Sequence, residues 1–371
     1  MGFYSIRGGK VWKGGTFQAN KELNYELPKE NDHTICLDEQ DLIIPGLVDF
    51  HAHLWTPAAA TPFGLSAEKH YAEGILGGLD AGTYGVIDWE ESNQYWQNAC
   101  DLQIKSFVSL LPEGLTIFPP KTPTLPDHIS TDDYVELINR NKAGGKILGT
   151  KFQLGWLNYK SEETDTIMIQ KAREISDRTG THMMIHTSGQ CMKASESAKY
   201  MMKDDIITHP YSGFENTILD ENGNVRKEVM DAKERGVLFD VGHAGKHFSW
   251  DVFKKAYAQG LKFDTIGGDM GEMNYRTPNW TIYDLYHVIS GFLNYGIELD
   301  ECFRAVIDTP CKYLDFKADL TNHCVILKKV YGETVSGDGV GNTVPCKYEY
   351  RPALVMHNGK LYRKMETTPK R

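Results

Sequence analysis

The sequence predicts an α/β fold: a (β/α)8 barrel of the TIM type with a small β-sandwich domain built from both chain ends. Apolar runs typical of buried strands recur along the chain, and amphipathic stretches with helical spacing separate them. Several of these runs end in a side chain of a type that binds metal ions. Strands that alternate with helices favour a parallel sheet, and eight of them favour its closure into a barrel.

The first barrel strand is the apolar run that begins at Pro45 and Gly46 and leads into His51 and His53. Side chains alternate between the two faces of a strand, so these two imidazoles point the same way and together suit one ion. The alternative is a strand with two incidental histidines. The later runs favour the metal-binding interpretation.

Four later runs also carry a ligand-type side chain: residues 149–155 with Lys151, 181–186 with His186, 205–210 with His209, and 263–269 with Asp269. Three further strand candidates bring the count to eight: residues 82–89, 104–111 and 236–242. Helical spacing of apolar residues appears between them, at residues 132–142, 162–179 and 283–295. Because active sites of such barrels lie at the carboxyl ends of the strands, we expect all six ligand candidates to converge there.

The residues outside the barrel lie at both ends of the chain. Residues 3–37 and 319–363 contain short strand-like runs around glycine-rich turns. We expect the two ends to pair into one β-sandwich. The predicted boundaries are residues 1–45 with 319–371 for the sandwich, and 46–318 for the barrel.

Composition is that of an ordinary globular enzyme, with 41% hydrophobic and 24% charged residues among 371. The formal net charge of −10 disfavours nucleic acid as a partner. No charged-then-apolar leader opens the sequence, and no apolar run approaches the roughly 20 residues that span a bilayer. Seven scattered cysteines without a CxxC pair suit a reducing compartment. These features predict a cytoplasmic protein with a small-molecule substrate and no membrane partner, and they leave self-association into a homo-oligomer open.

The order of these ligand candidates resembles the pattern of the amidohydrolase superfamily of metal-dependent hydrolases, over nearly the whole chain. That pattern is a His-x-His after strand one, a carboxylated lysine after strand four, histidines after strands five and six, and an aspartate after strand eight. This sequence has a matching residue at each position. Shorter motifs resemble the deacetylase branch, whose members cleave acyl groups from small carboxylates: residues 61–64, 81–83, 239–243 and 352–360.

The resemblance implies two divalent metal ions, with zinc the expected metal because imidazole and carboxylate donors suit it. His51, His53 and Asp269 would hold the first ion. His186 and His209 would hold the second, and Lys151, carboxylated on its side-chain nitrogen, would bridge the two. A core lysine paired with an acid is the alternative for Lys151, but an intra-barrel lysine without a function is costly to desolvate.

Asp269 is also the expected general base and acid, which takes a proton from a metal-bridging hydroxide and passes it to the leaving group. A helix N-cap is the alternative role for this residue. His243 follows the seventh strand, and contact with substrate, support of a ligand and simple packing all remain open for it.

Substrate contacts are expected from aromatic and basic residues beyond the strand ends. Trp55 and Trp156 suggest an aromatic wall for an apolar or planar group, or else they pack loops onto the rim of the barrel. Arg276 suits a substrate carboxylate or a loop salt bridge. Two positions depart from related sequences: Gln153 stands where an arginine is frequent, and Gly267 and Gly268 precede Asp269 where a hydroxyl residue is expected.

Three functions follow from this pattern. The first is a binuclear hydrolase that cleaves an acyl amide or ester of a small carboxylic acid. The second is a cyclic-amide hydrolase resembling dihydroorotases and hydantoinases. The third is a catalytically silent scaffold, whose signature would be the loss of metal ligands, whereas this sequence has all six.

Overall fold

The computed structural model describes residues 2–27, 30–57, 64–115, 124–155, 160–272 and 282–363. Both ends of the chain pair into one sheet. Its strands from the N-terminal end are β1 (Gly2–Lys13), β2 (Thr16–Ala19), β3 (Glu22–Leu27) and β4 (His33–Ile44). Its strands from the C-terminal end are β12 (His323–Gly337), β13 (Thr343–His357) and β14 (Lys360–Arg363).

The order in this terminal sheet is β14-β13-β12-β4-β1-β2, and β3 also pairs with β1. The antiparallel pairing of β12 with β4 joins the two chain ends, with Ile326 opposite Ile43. Buried apolar side chains from β1, β3, β4, β12 and β13, such as Tyr4, Tyr25 and Leu354, form a small core of its own. The predicted composite domain at the chain ends is therefore present, and its exact boundaries stay a prediction.

The second sheet is the barrel wall, seven parallel strands paired in chain order. They are β5 (Leu47–Ala52), β6 (Ile75–Ala81), β7 (Gln103–Ser109), β8 (Ile147–Gln153), β9 (His182–His186), β10 (Ile206–Thr208) and β11 (Leu238–Asp240). An eighth segment follows β11 and forms a parallel bridge between Thr265 and Asp240. The predicted TIM-type barrel is confirmed.

One strand was predicted in the wrong place. Residues 82–89 are not a strand: Gly82 has a positive φ of 83° that ends β6, and Trp89 begins a helix. The true second strand, Ile75–Ala81, is buried along its whole length. It contains two glycines and Asp80, which are residues depleted in strands, so its composition hides it.

Helices surround the barrel, and the predicted helix at residues 162–179 has the bounds that the sequence indicates. The helices are α1 (Ala67–Ala72), α2 (Trp89–Ala99), α3 (Thr131–Arg140), α4 (Glu162–Thr179), α5 (Ala194–Ser197), α6 (Lys227–Glu234), α7 (Trp250–Ala258), α8 (Leu285–Tyr295), α9 (Leu299–Val306) and α10 (Asp308–Leu314). Helix α4 is typical: Ser161 caps its first turn and Gly180 ends it with a φ of 67°. In the described part of the chain, no helix is long and apolar enough to cross a membrane.

The eighth segment closes the barrel against β5. The backbone N–H of Asp269 donates to the carbonyl oxygen of His51 at 2.8 Å, and that of Gly268 donates to the Asp49 carboxylate at 2.9 Å. Gly267 lies so close to β5 that a Cβ there would stand 2.3 Å from the His51 Cβ. The unexpected glycine before Asp269 thus has a physical reason, because a larger residue at position 267 would push the closing segment away from His51.

We predict that Gly267→Ala lowers the free energy of unfolding by about 1–3 kcal/mol, the usual cost of overpacking, and displaces Asp269 from the histidines. Gly78→Ala is the matched control, since a Cβ there would make ordinary contacts at 3.7 Å or more with Leu54, Ala52 and Leu102. Urea denaturation of both variants measures the effect. Equal stabilities of the two variants would contradict the close approach at Gly267.

Candidate metal centre

The predicted ligands lie at the carboxyl end of the barrel, each at or just after a strand. His51 is in β5 and His53 follows it, Lys151 is in β8, and His186 ends β9. His209 follows β10, and Asp269 follows the eighth segment. His51, His53, Lys151, His186 and His209 are all at most 5% exposed.

The Asp269 carboxylate is the centre of this group. Its Oδ1 lies 3.1 Å from His53 Nε2 and 3.6 Å from His51 Nε2, and its Oδ2 lies 3.7 Å from His209 Nε2. One ligand atom from each of His51, His209 and Asp269 lies within 4.8 Å of the others. Both Asp269 and His209 have positive φ values, 51° and 62°, which are uncommon outside glycine and typical of functional sites.

Hydrogen bonds on the far side of each ring fix which nitrogen faces this centre. His51 Nδ1 lies 2.9 Å from Thr208 Oγ1 and 3.2 Å from the Asp240 carboxylate, and His209 Nδ1 lies 2.5 Å from the carbonyl oxygen of Gly242. Since these partners accept a proton, each Nδ1 carries the hydrogen and each Nε2 presents a lone pair. Both Nε2 atoms are buried without a hydrogen-bond partner among the described residues.

His53 is oriented in the same way by a second buried acid. Its Nδ1 lies 2.9 Å from Thr83 Oγ1, and the Thr83 hydroxyl donates to Asp80 at 2.6 Å. The Thr83 oxygen is therefore left to accept from Nδ1, and Nε2 faces Asp269 as a lone pair. Asp80 and Asp240 were not predicted as functional residues. Buried acids at the ends of β6 and β11 were the signal, because an unpaired carboxylate is rarely buried.

His186 and Lys151 lie on the neighbouring strands. His186 Nε2 lies 3.1 Å from the carbonyl oxygen of Ser188, so its Nδ1 presents the lone pair, 3.5 Å from the Gln153 amide nitrogen. Lys151 Nζ donates to the carbonyl oxygen of Ala81 at 3.0 Å. Burial lowers the pKa of Lys151 to about 8, partly opposed by Asp269, Asp240 and Asp80, so an appreciable fraction of the amine is neutral near neutral pH.

The electrostatics of the group favour a cation. Burial lowers the pKa of His53 and lowers those of His186 and His209 well below the ordinary value, which favours their neutral forms. Burial would raise the pKa of Asp269, but the surrounding histidines outweigh it and lower that pKa well below its usual range. Neutral lone pairs and a carboxylate that face each other at 3–4 Å are the donor set that suits a buried divalent ion.

A cavity opens beside this group, between the ends of β6, β7 and β8. Its lining includes His53, Lys151 and Gln153, together with the apolar side chains of Leu111 and Met168. A small molecule in this cavity would meet the ligand group at one end and an apolar wall at the other.

Of the predicted substrate contacts, the structure describes His243 and Trp55. His243 stacks on Phe248 with ring centroids 4.4 Å apart, and its Nδ1 accepts from the backbone of Gly245. Trp55 is half-buried and packs against the barrel core. Trp156 and Arg276 lie outside the described residues.

A histidine that was not predicted does join the group. The ring of His247 lies 4.7 Å, centroid to centroid, from the rings of both His186 and His209. Burial lowers its pKa to about 4, so it is neutral at neutral pH. His247 follows the strand β11 by seven residues, farther from its strand than the predicted ligands are, whereas the predicted residue in this loop is His243.

No family model matches the chain. It is 25% identical over 285 residues to a deacetylase of Agrobacterium fabrum, covering 76% of this chain and 67% of that protein. It is 24% identical over 277 residues to a deacetylase of Brucella anthropi (73% and 66%) and 27% identical over 348 residues to one of Enterococcus faecalis (89% and 89%). The chain thus spans about two thirds of the length of the first two relatives.

Solved structures agree in fold. A dihydroorotase superposes with a TM-score of 0.78 at 18% identity, and an adenine deaminase with 0.78 at 20%; each match covers 97% of this chain and 99% of the other. At these identities the likeness establishes the barrel and its second domain. With the relatives in sequence, it confirms that the chain is a hydrolase that resembles the amidohydrolase superfamily.

Proposed function

We propose that the protein is a binuclear metal-dependent hydrolase that cleaves an acyl amide or ester bond of a small carboxylic acid. The observation that carries this proposal is the Asp269 carboxylate, which lies 3.1–3.7 Å from three imidazole nitrogens. Such a donor set would be costly to bury without a cation. The names of the deacetylase relatives support an acyl substrate.

Two positions for divalent ions, with zinc the expected metal, fit the residues present. His51, His53 and Asp269 would hold one ion, and His186 and His209 the other. Asp80, through Thr83, and Asp240 hold the first two imidazoles in the required tautomer. Fixing a ligand by an outer hydrogen bond typically raises its basicity and the metal affinity of the site.

Lys151 would bridge the two ions after carboxylation on Nζ. Attack of the neutral amine on carbon dioxide forms the N–C bond, and the amine loses one proton to give an anionic carbamate with two oxygens. The lowered pKa of Lys151 favours this reaction, since only the neutral amine is nucleophilic. The converted side chain would also replace a buried cation by an anion beside the metal ligands.

In the proposed reaction, bound divalent ions supply Lewis acidity that lowers the pKa of water and polarises the acyl group. Asp269, a carboxylate because its pKa is lowered, accepts the proton of the attacking water. It then returns this proton to the leaving nitrogen or oxygen. The carbonyl carbon gains a C–O bond and loses the bond to the leaving group, which gives a carboxylic acid and an amine or alcohol.

A cyclic-amide hydrolase is the second candidate, because a dihydroorotase and a hydantoinase are among the structural neighbours. The cavity beside the site extends past Lys151 toward the apolar Met168 and Leu111, which suits a substrate with an apolar arm. A silent scaffold is disfavoured because all six ligand-type residues are retained and buried groups are held in place around them.

We predict that the purified protein, saturated with zinc and then dialysed, contains close to two ions per chain. Six ligand-type residues at five strand ends support this number. Elemental analysis against protein concentration measures it. A saturating content of one ion or none would contradict the binuclear site.

Lys151→Ala is expected to lose the second ion and most of the hydrolase activity, because the bridge depends on the carbamate. A short carboxylic acid added in excess should restore part of the activity by supplying the missing oxygens. Lys142→Ala is the matched control, since this exposed lysine donates to a helix carbonyl oxygen outside the site. Full metal content and normal turnover of Lys151→Ala would refute the bridging role.

Asp269→Asn keeps the shape of the side chain and one oxygen donor but removes its basicity. We predict that kcat falls by about 10²–10⁴-fold, the usual contribution of a general base, and that metal content falls by much less. Steady-state kinetics and metal analysis of the same preparation separate the two effects. Turnover near the wild-type rate with both ions in place would assign the proton transfer to another residue.

A further inference from the structure

His247 stands at the edge of the metal centre without belonging to the predicted ligands. It lies in the loop between β11 and α7, and its ring contacts the rings of His186 and His209. Its side chain is only half-buried, unlike theirs. A partly exposed imidazole in contact with both histidines of the second ion position lies at the edge of that position.

A chain of hydrogen bonds leads to this imidazole and favours one of its tautomers. The backbone N–H of Phe214 donates to Ser212 Oγ, and the Ser212 hydroxyl donates to Ser188 Oγ at 3.0 Å. Ser188 Oγ lies 2.8 Å from His247 Nδ1. The Ser188 oxygen accepts from Ser212 and keeps its own proton, which is available for donation to Nδ1. With that donation, His247 carries its hydrogen on Nε2, for which the described residues offer no hydrogen-bond partner.

The loop that holds His247 is fixed by the hairpin of β12 and β13. The turn of this hairpin reaches the loop from the terminal sheet: Asp338 accepts from the backbone N–H of Trp250 at 2.9 Å. The backbone N–H of Gly339 donates to the carbonyl oxygen of Phe248 at 2.9 Å. A Cβ at Gly339 would stand 2.0 Å from the carbonyl oxygen of Lys246, which shows how closely the two backbones pack. The Nε2–H of His247 is thus held in position before a substrate binds.

We propose that His247 donates a hydrogen bond from Nε2 to the scissile carbonyl oxygen of the substrate and stabilises the negative charge that develops there. This role rests on the proposed function. Both nitrogens of His247 are committed, one as an acceptor from Ser188 and the other as a donor, so the ring offers no lone pair to a metal ion. The neighbouring histidines present lone pairs and Asp269 a carboxylate, and none of these stabilises an oxyanion.

The test compares His247→Phe, which keeps a ring without a donor, with His247→Gln, which restores an N–H donor. We expect kcat of the Phe variant on an acyl substrate to fall about 10²–10³-fold with KM nearly unchanged, as for the loss of an oxyanion donor. The Gln variant should regain at least tenfold, and both should retain two ions. His128→Phe is the matched control, an exposed histidine in a surface turn.

Nitrogen NMR of ¹⁵N-histidine-labelled protein gives a readout that is independent of turnover. The wild-type protein should show His247 protonated on Nε2, and Ser188→Ala should weaken this preference. Protonation on Nδ1, loss of an ion in His247→Phe, or a rise in KM with kcat unchanged would each overturn the inference. Full activity of His247→Phe would do the same while leaving the proposed function intact, whereas an inactive wild-type enzyme with bound metal would overturn both.

Discussion

The mutual approach of the Asp269 carboxylate and three imidazole nitrogens is the constraint on which this site depends. These atoms lie at 3.1–3.7 Å, and the imidazoles are turned so that lone pairs face the carboxylate. In a buried environment such an arrangement is unfavourable unless a positive charge lies among the donors. The surrounding structure must therefore hold these side chains in place.

Two sets of contacts hold these side chains in place. Behind the histidines, Asp80 and Asp240 accept hydrogen bonds directly or through a threonine, which fixes the tautomers. Behind Asp269, the closing segment runs so near β5 that only glycine fits at position 267. Asp240 belongs to both sets, since it also accepts from the Thr265 hydroxyl and from the backbone N–H of Gly267. A buried acid thus couples the closure of the barrel to the orientation of a predicted ligand.

The terminal sheet also supports a loop of the barrel. Strands β12 and β13 continue beyond the sheet as a long hairpin, and its turn binds the loop between β11 and α7. Trp250 reinforces this contact, because its indole N–H donates to the carbonyl oxygen of Ser336 at 3.0 Å. The C-terminal end of the chain in this way supports a loop at the mouth of the barrel, close to the proposed second ion.

The sequence alone determined the fold class and the order of the ligand-type residues, because strand periodicity and strand-end position are local properties. The tertiary structure decided the rest. The glycine-containing strand β6 is recognisable only once it is buried on both faces. Asp80, Asp240 and His247 acquire their roles through partners distant in the chain, such as His53, His51 and Ser188. Hydrogen bonds between distant strands produce no periodic pattern in the sequence. The sequence therefore indicated His243, whereas the fold places the ring of His247, in the same loop, beside the predicted ligands.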